Sequence, residues 1–157
     1  MSQNRGKSFE AKVKQDFSKI PDSHLERLYD SMGGYKSIKT RSDFIGYIYP
    51  NQYFLEVKSV HGNTFPFANL KQYDGLLEVS GIHGIRSGII IWFIDHQLVC
   101  YVPVTTIRQM KQDGLKSVNV KYLKESTSYR ILNIPSKAKK VFLDSDYSIL
   151  TTLNDGE

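Results

Sequence analysis

The sequence predicts an α/β chain, a mixed sheet with helices packed against it. Three observations carry that expectation. Apolar residues recur at helical spacing near the N-terminus, at Phe9, Val13, Phe17 and Ile20. Two short runs rich in Tyr, Ile and Phe flank Tyr49-Pro50-Asn51-Gln52, which reads as the turn of a β-hairpin. Residues 88–94 form a continuous β-branched and aromatic run, the mark of a strand buried on both faces.

In chain order, residues 8–20 form the first helix, which Pro21 ends. Glu10 flanks its apolar stripe, where it either reaches the edge of a site on the adjacent sheet or complements the positive helix end. Residues 24–29 read as a strand. Residues 30–40 then form a basic loop around Gly33-Gly34, with Lys36, Lys39 and the following Arg41 as either solvated charges or DNA contacts. The hairpin covers residues 42–59, a turn-rich linker covers 61–67, and a helix spans about 69–79 with Gln72 in its first turn. The buried strand is followed by a turn at Asp95-His96, a strand over 97–102 and a helix over 104–111. Farther on, residues 118–123 and 129–132 are expected to be edge strands, 136–140 a basic loop and 147–153 a short amphipathic piece. A single domain is expected over 1–157, with its core in about 4–112 and an extension over about 115–157.

Bulk properties narrow the function classes. A chain of 157 residues, 40% hydrophobic and 24% charged, is long enough for a real core. Its net charge of +5 suits a polyanionic partner. A lone cysteine, Cys100, makes no internal disulfide, so a reducing, cytoplasmic setting is expected. The longest apolar run is too short to span a bilayer, and the polar N-terminus carries no signal-peptide core, so no membrane association is expected. No Gly-rich phosphate loop is visible, which argues against a nucleotide cofactor. The four histidines lack paired spacing and cysteine companions, which argues against zinc.

The chemistry is concentrated in the hairpin. Side chains alternate along a strand, so Leu55 and Val57 point one way while Glu56 and Lys58 point the other. A two-residue turn at Pro50-Asn51 sets Ile45 opposite Glu56 and Asp43 opposite Lys58, bringing Asp43, Glu56 and Lys58 to one face. A four-residue turn keeps that parity, and a three-residue turn splits the set. Two neighbouring carboxylates repel unless a cation lies between them, and a hard divalent ion such as magnesium meets that need. A lysine beside the ion offsets charge on a phosphate oxygen, as metal-assisted phosphodiester hydrolysis requires. Glu-x-Lys alone is a weak signal, because most such triplets are ordinary ion pairs.

Separated matches add to the triad. Asn4-Arg5-Gly6 with Phe9-Glu10, Ser42-Asp43-Phe44, Glu56-Val57-Lys58, Phe65-Pro66-Phe67 and Gln72 occur in an order that resembles the RecU-type Holliday-junction resolvases. These belong to the PD-(D/E)XK nucleases, so the resemblance implies a restriction-endonuclease-like core. It implies magnesium, with manganese as a substitute, held by Asp43, Glu56 and Gln72 with help from Ser42. It gives Lys58 a transition-state role and adds Glu10 to the catalytic set. Ungapped superposition places Asp74 where Gln72 is expected, so both remain candidates for the helix position. The cellular enzymes carry a long stalk before the aspartate, and here only residues 30–41 fill that place, as in compact phage versions. Arg5, Lys7, Lys36, Lys39 and Arg41 are the candidate DNA contacts.

The expected function is a metal-dependent, structure-selective endonuclease of recombination and repair. It would act as a homodimer that cuts four-way junctions symmetrically. Another DNA endonuclease on the same core, or a junction-binding protein with a silent site, are the alternatives.

Overall fold

A computed structural model describes residues 2–33, 36–125 and 127–157, with the side chains of 2–4, 31–33 and 36–38 outside the description. In order, the elements are α1 (Ser2–Phe17), β1 (Ser23–Arg27), β2 (Ser31–Gly33), β3 (Lys36–Ile38), β4 (Phe44–Ile48), β5 (Asn51–Val60) and β6 (Thr64–Pro66). There follow α2 (Tyr73–Val79), β7 (Ile85–Phe93), β8 (Leu98–Pro103), α3 (Val104–Gln112), β9 (Ser117–Asn119) and α4 (Lys121–Lys124). Last come β10 (Leu132–Asn133), β11 (Ser136–Ala138) and β12 (Leu143–Ser145), with a 3-10 turn at Tyr147–Thr152. The expected α/β class with a mixed central sheet flanked by helices is the observed one, a restriction-endonuclease-like arrangement.

The central sheet has six strands in the order β1-β4-β5-β7-β8-β10. All neighbours are antiparallel except β5 and β7, which run parallel. A parallel pair needs a crossover, and here the crossover carries α2. Both faces of the sheet are covered. On one face Phe9, Val13 and Phe17 of α1 pack with Tyr53, Leu55 and Val57 of β5. On the other, Leu76 of α2 and Ile107 and Met110 of α3 pack with Ile89, Ile91 and Phe93 of β7. This explains why β7 shows no alternation: each face has its own core, and every residue from Arg86 to Phe93 is buried. Gly88 is required within it, because a Cβ there would lie 2.5 Å from the Val102 carbonyl oxygen.

Several expectations change. The hairpin turn closes at Tyr49-Pro50, with Ile48 opposite Asn51 and Phe44 opposite Leu55. Asn51 and Gln52 belong to β5, and the Gln52 amide donates to the Gly84 carbonyl at 2.8 Å. Ile45 therefore faces Phe54, not Glu56, and continuing the register one step puts Asp43 opposite Glu56, not Lys58. The shift is two residues, so the parity holds and the acids still share a face.

The expected basic loop over 30–40 contains the β2–β3 hairpin, with Gly34 and Tyr35 outside the described residues. The expected helix over 69–79 begins as α2 only after Gln72, behind a 3-10 turn at Phe67–Asn69. Of the expected strand over 118–123 only Val118 and Asn119 are strand, in β9 paired with β6, and α4 follows. The basic stretch at 136–140 is not wholly loop, since β11 pairs with β12. The C-terminal residues fill the core beside α1, where Leu143, Tyr147, Leu150 and Leu153 are buried.

Candidate active site

β4 and β5 bring the two acids together at the end of the hairpin away from its turn. Asp43 stands in a bend just before β4, and its Oδ2 accepts from the Val57 amide at 2.9 Å. That bond fixes the carboxylate against the strand that carries Glu56 and Lys58. Glu56 is 1% exposed, yet among the described residues no backbone or side-chain N–H or hydroxyl donates to either of its carboxylate oxygens. Among the described residues its ion-pair partner is Lys58, whose Nζ lies 3.8 Å from Glu56 Oε1.

An ionised carboxylate in that position is costly. Burial foremost, then a proton shared with Asp43 and the repulsion from its charge, push Glu56 up from 4.5 to about 9, with Lys58 opposing. The carboxylate pair therefore favours a proton or a cation between its members over two free charges. Glu10 stands close enough to feel the same field. Its pKa is raised by burial first and then by Asp43, against the pull of Arg27 and Lys58.

Arg27, at the end of β1, ties these groups together. Its Nε donates to Glu10 Oε2 at 3.0 Å, its Nη1 donates to the Asp43 carbonyl at 3.0 Å, and its Nη2 lies 3.6 Å from Asp43 Oδ1. It also donates to the Leu28 carbonyl. The guanidinium lies over the rings of Tyr29 and Phe44, 5.2 and 5.6 Å from their centroids. Nothing in the sequence singled Arg27 out. The only signal was a cation in a strand bordering the aspartate's own.

Asp43, Glu56, Lys58 and Glu10 are thus brought together. Gln72 caps the start of α2, and its Oε1 is buried without a hydrogen-bond partner. Asp74, its rival for the helix position, is exposed. Ser42 is fully buried, and its hydroxyl donates to the Phe44 carbonyl at 2.7 Å. Among the described residues no three His, Cys, Asp or Glu side chains gather as a metal cluster. The facing acids Asp43 and Glu56 offer hard carboxylate oxygens, while the Gln72 amide lines the cleft beside Lys39 and Arg41. The orphaned oxygens of Glu56, facing Asp43, fit a hard cation such as magnesium.

The expected DNA contacts separate. Lys39 is exposed and lines a cleft of about 310 Å³ with Thr40, Lys71 and Gln72. Arg41 lines it too, but its guanidinium donates to Glu78 Oε2 at 2.9 Å and to the Gly75 carbonyl. Arg41 therefore fastens α2. Lys7 is exposed on α1 and lines a second groove. Arg5 is exposed and reaches His61 at 3.4 Å, while the other nitrogen of that ring holds Asp95 at 3.0 Å. The Lys36 side chain lies outside the described residues.

Among the described residues no helix is long and apolar enough to cross a membrane. No curated protein matches the chain. The sequence model of the family described as Recombination protein U matches residues 19–139, from the turn before β1 through β11. That span includes Arg27, Asp43, Glu56, Lys58 and Gln72, and leaves Glu10 and the Asn4-Arg5-Gly6 segment outside it. The expected resemblance thus has independent support, and it brings with it a nuclease's action on branched DNA. With most of its length matched, the chain belongs to the Recombination protein U family of Holliday-junction resolvases.

Proposed function

We propose that the chain is a metal-dependent endonuclease that resolves four-way DNA junctions by paired, symmetric phosphodiester cleavage. The observation that carries this reading is the buried, unsatisfied Glu56 carboxylate facing Asp43, with Lys58 beside it. A fold retains so costly a group when a ligand completes it. Magnesium, or manganese in its place, would be held by Asp43, Glu56 and Gln72, with Ser42 as a further candidate. When bound there, such an ion would supply Lewis-acid polarisation of the scissile phosphate and a more acidic water as nucleophile.

The chain's own residues supply the rest. Asp43, anchored by the Val57 amide and by Arg27, presents a fixed carboxylate. Glu56 gives up its proton when it becomes a ligand, so metal binding is favoured as pH rises. The Lys58 ammonium, 35% exposed in its side chain, faces solvent where a phosphate oxygen gaining charge would lie. Glu10 lies on the α1 side of the aspartate and shares Arg27 with it. A two-fold symmetric junction cut at matching positions calls for two such sites, hence a homodimer.

The test is nicking of a synthetic four-way junction beside a linear duplex of the same sequence, with magnesium or with chelator. Symmetric, magnesium-dependent nicking of the junction alone is expected, with a dimer in a size measurement on the DNA complex. Equal cutting of the duplex would instead make the chain a general nuclease, and a monomer on junction DNA would remove the paired cut.

A further inference from the structure

A second groove, of about 510 Å³, opens on the α1 side of the site and is lined by Lys7, Glu10, Lys14, Arg27, Tyr29 and Phe44. Resting on the nuclease reading above, we propose that this groove holds a single-stranded stretch of DNA beside the cleavage centre, with Tyr29 stacked on an unpaired base.

The first ground is charge placement. Residues 7, 10 and 14 lie along one strip of α1, since a helix returns to the same face after about seven residues. Lys7 and Lys14, both exposed, therefore stand about 10 Å apart along the groove wall. Glu10 lies between them, but its charge is taken up by Arg27 at 3.0 Å. The wall is cationic at both ends and neutralised in the middle, which suits a polyanion running along it.

The second ground is Tyr29. It is 77% exposed, a large apolar ring with little burial to show for it. The Arg27 guanidinium lies over that ring, 5.2 Å from its centroid, and holds it by a cation–π contact. A ring fixed by a cation and otherwise open is a stacking platform. Tyr47 and Tyr49 are also exposed, at the hairpin turn, and among the described residues no such cation backs them. Duplex bases already stack on one another and leave no free π-face. The ligand that fits is an unpaired nucleotide, such as one opened at a branch.

The third ground is continuity. Arg27 lies at once in this groove, against Tyr29 and against Asp43, so the platform and the acidic pair share one residue. A strand lying on Tyr29 would pass directly to the centre.

The experiment measures binding in chelator, so that no cleavage intervenes. The probes are a twelve-nucleotide single strand carrying 2-aminopurine, the matching duplex, and a four-way junction with 2-aminopurine beside the branch. The wild type is expected to quench the single-strand and junction probes, and to bind the single strand more tightly than the duplex. Tyr29→Ala should abolish the quench and weaken single-strand binding roughly tenfold, whereas Tyr29→Phe retains both. Lys14→Ala should reduce the salt slope for the single strand by about 0.7. Tyr29→Ala matching the wild type in quench and affinity would overturn the proposal. So would an equal loss of duplex binding, which would assign the groove to duplex DNA. A parallel nicking assay on the wild type with magnesium separates the two readings. Nicking without a Tyr29 effect removes the groove alone, and a Tyr29 effect without nicking removes the nuclease reading alone.

Discussion

Asp16 and Glu56 are both carboxylates buried almost completely, at 2% and 1% exposure, and their surroundings could hardly differ more. Asp16 Oδ1 accepts from Lys12 at 2.9 Å and from Lys19 at 3.2 Å, and its Oδ2 accepts from the Ser145 amide at 3.0 Å. Lys12 continues to Asp144 at 2.6 Å, so the cluster rivets α1 to β12. Among the described residues Glu56 has only Lys58 at 3.8 Å and a facing carboxylate. Burial of a charge is therefore not in itself a sign of function. A buried charge whose partners are complete is a fastening, and one whose partners are missing is a socket.

Substitution at each acid should separate the two roles. Glu56→Gln is expected to lower junction nicking by roughly a hundredfold or more, because a metal-held site supplies several kcal/mol in the transition state. In chelator the same variant should be at least as stable as the wild type, since the amide carries no charge to bury. Nicking that survives the change would show that Glu56 is another fastening.

The pH dependence of stability sharpens the contrast. Below 4.5 the folded and unfolded chains both carry the Glu56 proton; from there to about 9 only the folded chain does. The unfolded state binds fewer protons over that window, so stability falls as pH rises, by up to about 1.4 kcal/mol per pH unit. Urea unfolding in chelator at several pH values should show that decline in the wild type and a shallower one in Glu56→Gln. Parallel curves for the two proteins would remove Glu56 as its source.

Asp16→Asn should do the reverse of Glu56→Gln. It leaves Lys12 short of a partner, and a cost of about 2 kcal/mol is expected, below the usual figure for a buried pair because Lys19 is 61% exposed. Nicking per folded molecule should be unchanged. A loss of nicking out of proportion to the loss of fold would mean that this cluster reaches the chemistry after all.

The two acids were not equally legible in the sequence. Glu56 was, because alternation along one strand depends only on parity, and parity survived the misplacement of the turn between Tyr49-Pro50 and Pro50-Asn51. The cross-strand partners were not, since a shift of one residue in the turn moves every pairing by two. Asp16 went unremarked among the polar residues of α1, because Ser145 lies 129 positions away. Arg27 was silent for a similar reason: what marks it is its reach to Glu10, 17 residues off, and to Asp43. The C-terminal stretch was illegible because its strands have two or three residues, too few for a period to show. Its anchors are tertiary, such as Asp155 accepting from Arg86 at 2.7 Å and the Glu157 carbonyl accepting from the Tyr101 hydroxyl at 2.6 Å.

Arg41 and Lys39 extend the same distinction to cations, at a smaller scale. In sequence they are two basic residues before the aspartate, and either would serve as a phosphate contact. In the structure Arg41 is fastened to the Gly75 carbonyl and to Glu78, and lies 6.0 Å over the Phe54 ring centroid. Its guanidinium holds α2, which starts just after Gln72, against the strand that carries Glu56. Lys39 stands exposed beside it in the same cleft. Arg41→Ala is therefore expected to raise the magnesium concentration needed for half-maximal nicking, by about tenfold, through a looser Gln72, with the salt slope of junction binding nearly unchanged. Lys39→Ala should leave the magnesium requirement alone and reduce the salt slope by about one. Magnesium titrations of nicking and salt titrations of binding on both variants read the two effects separately. If the pattern came out exchanged, Arg41 would be the phosphate contact and its grip on α2 incidental.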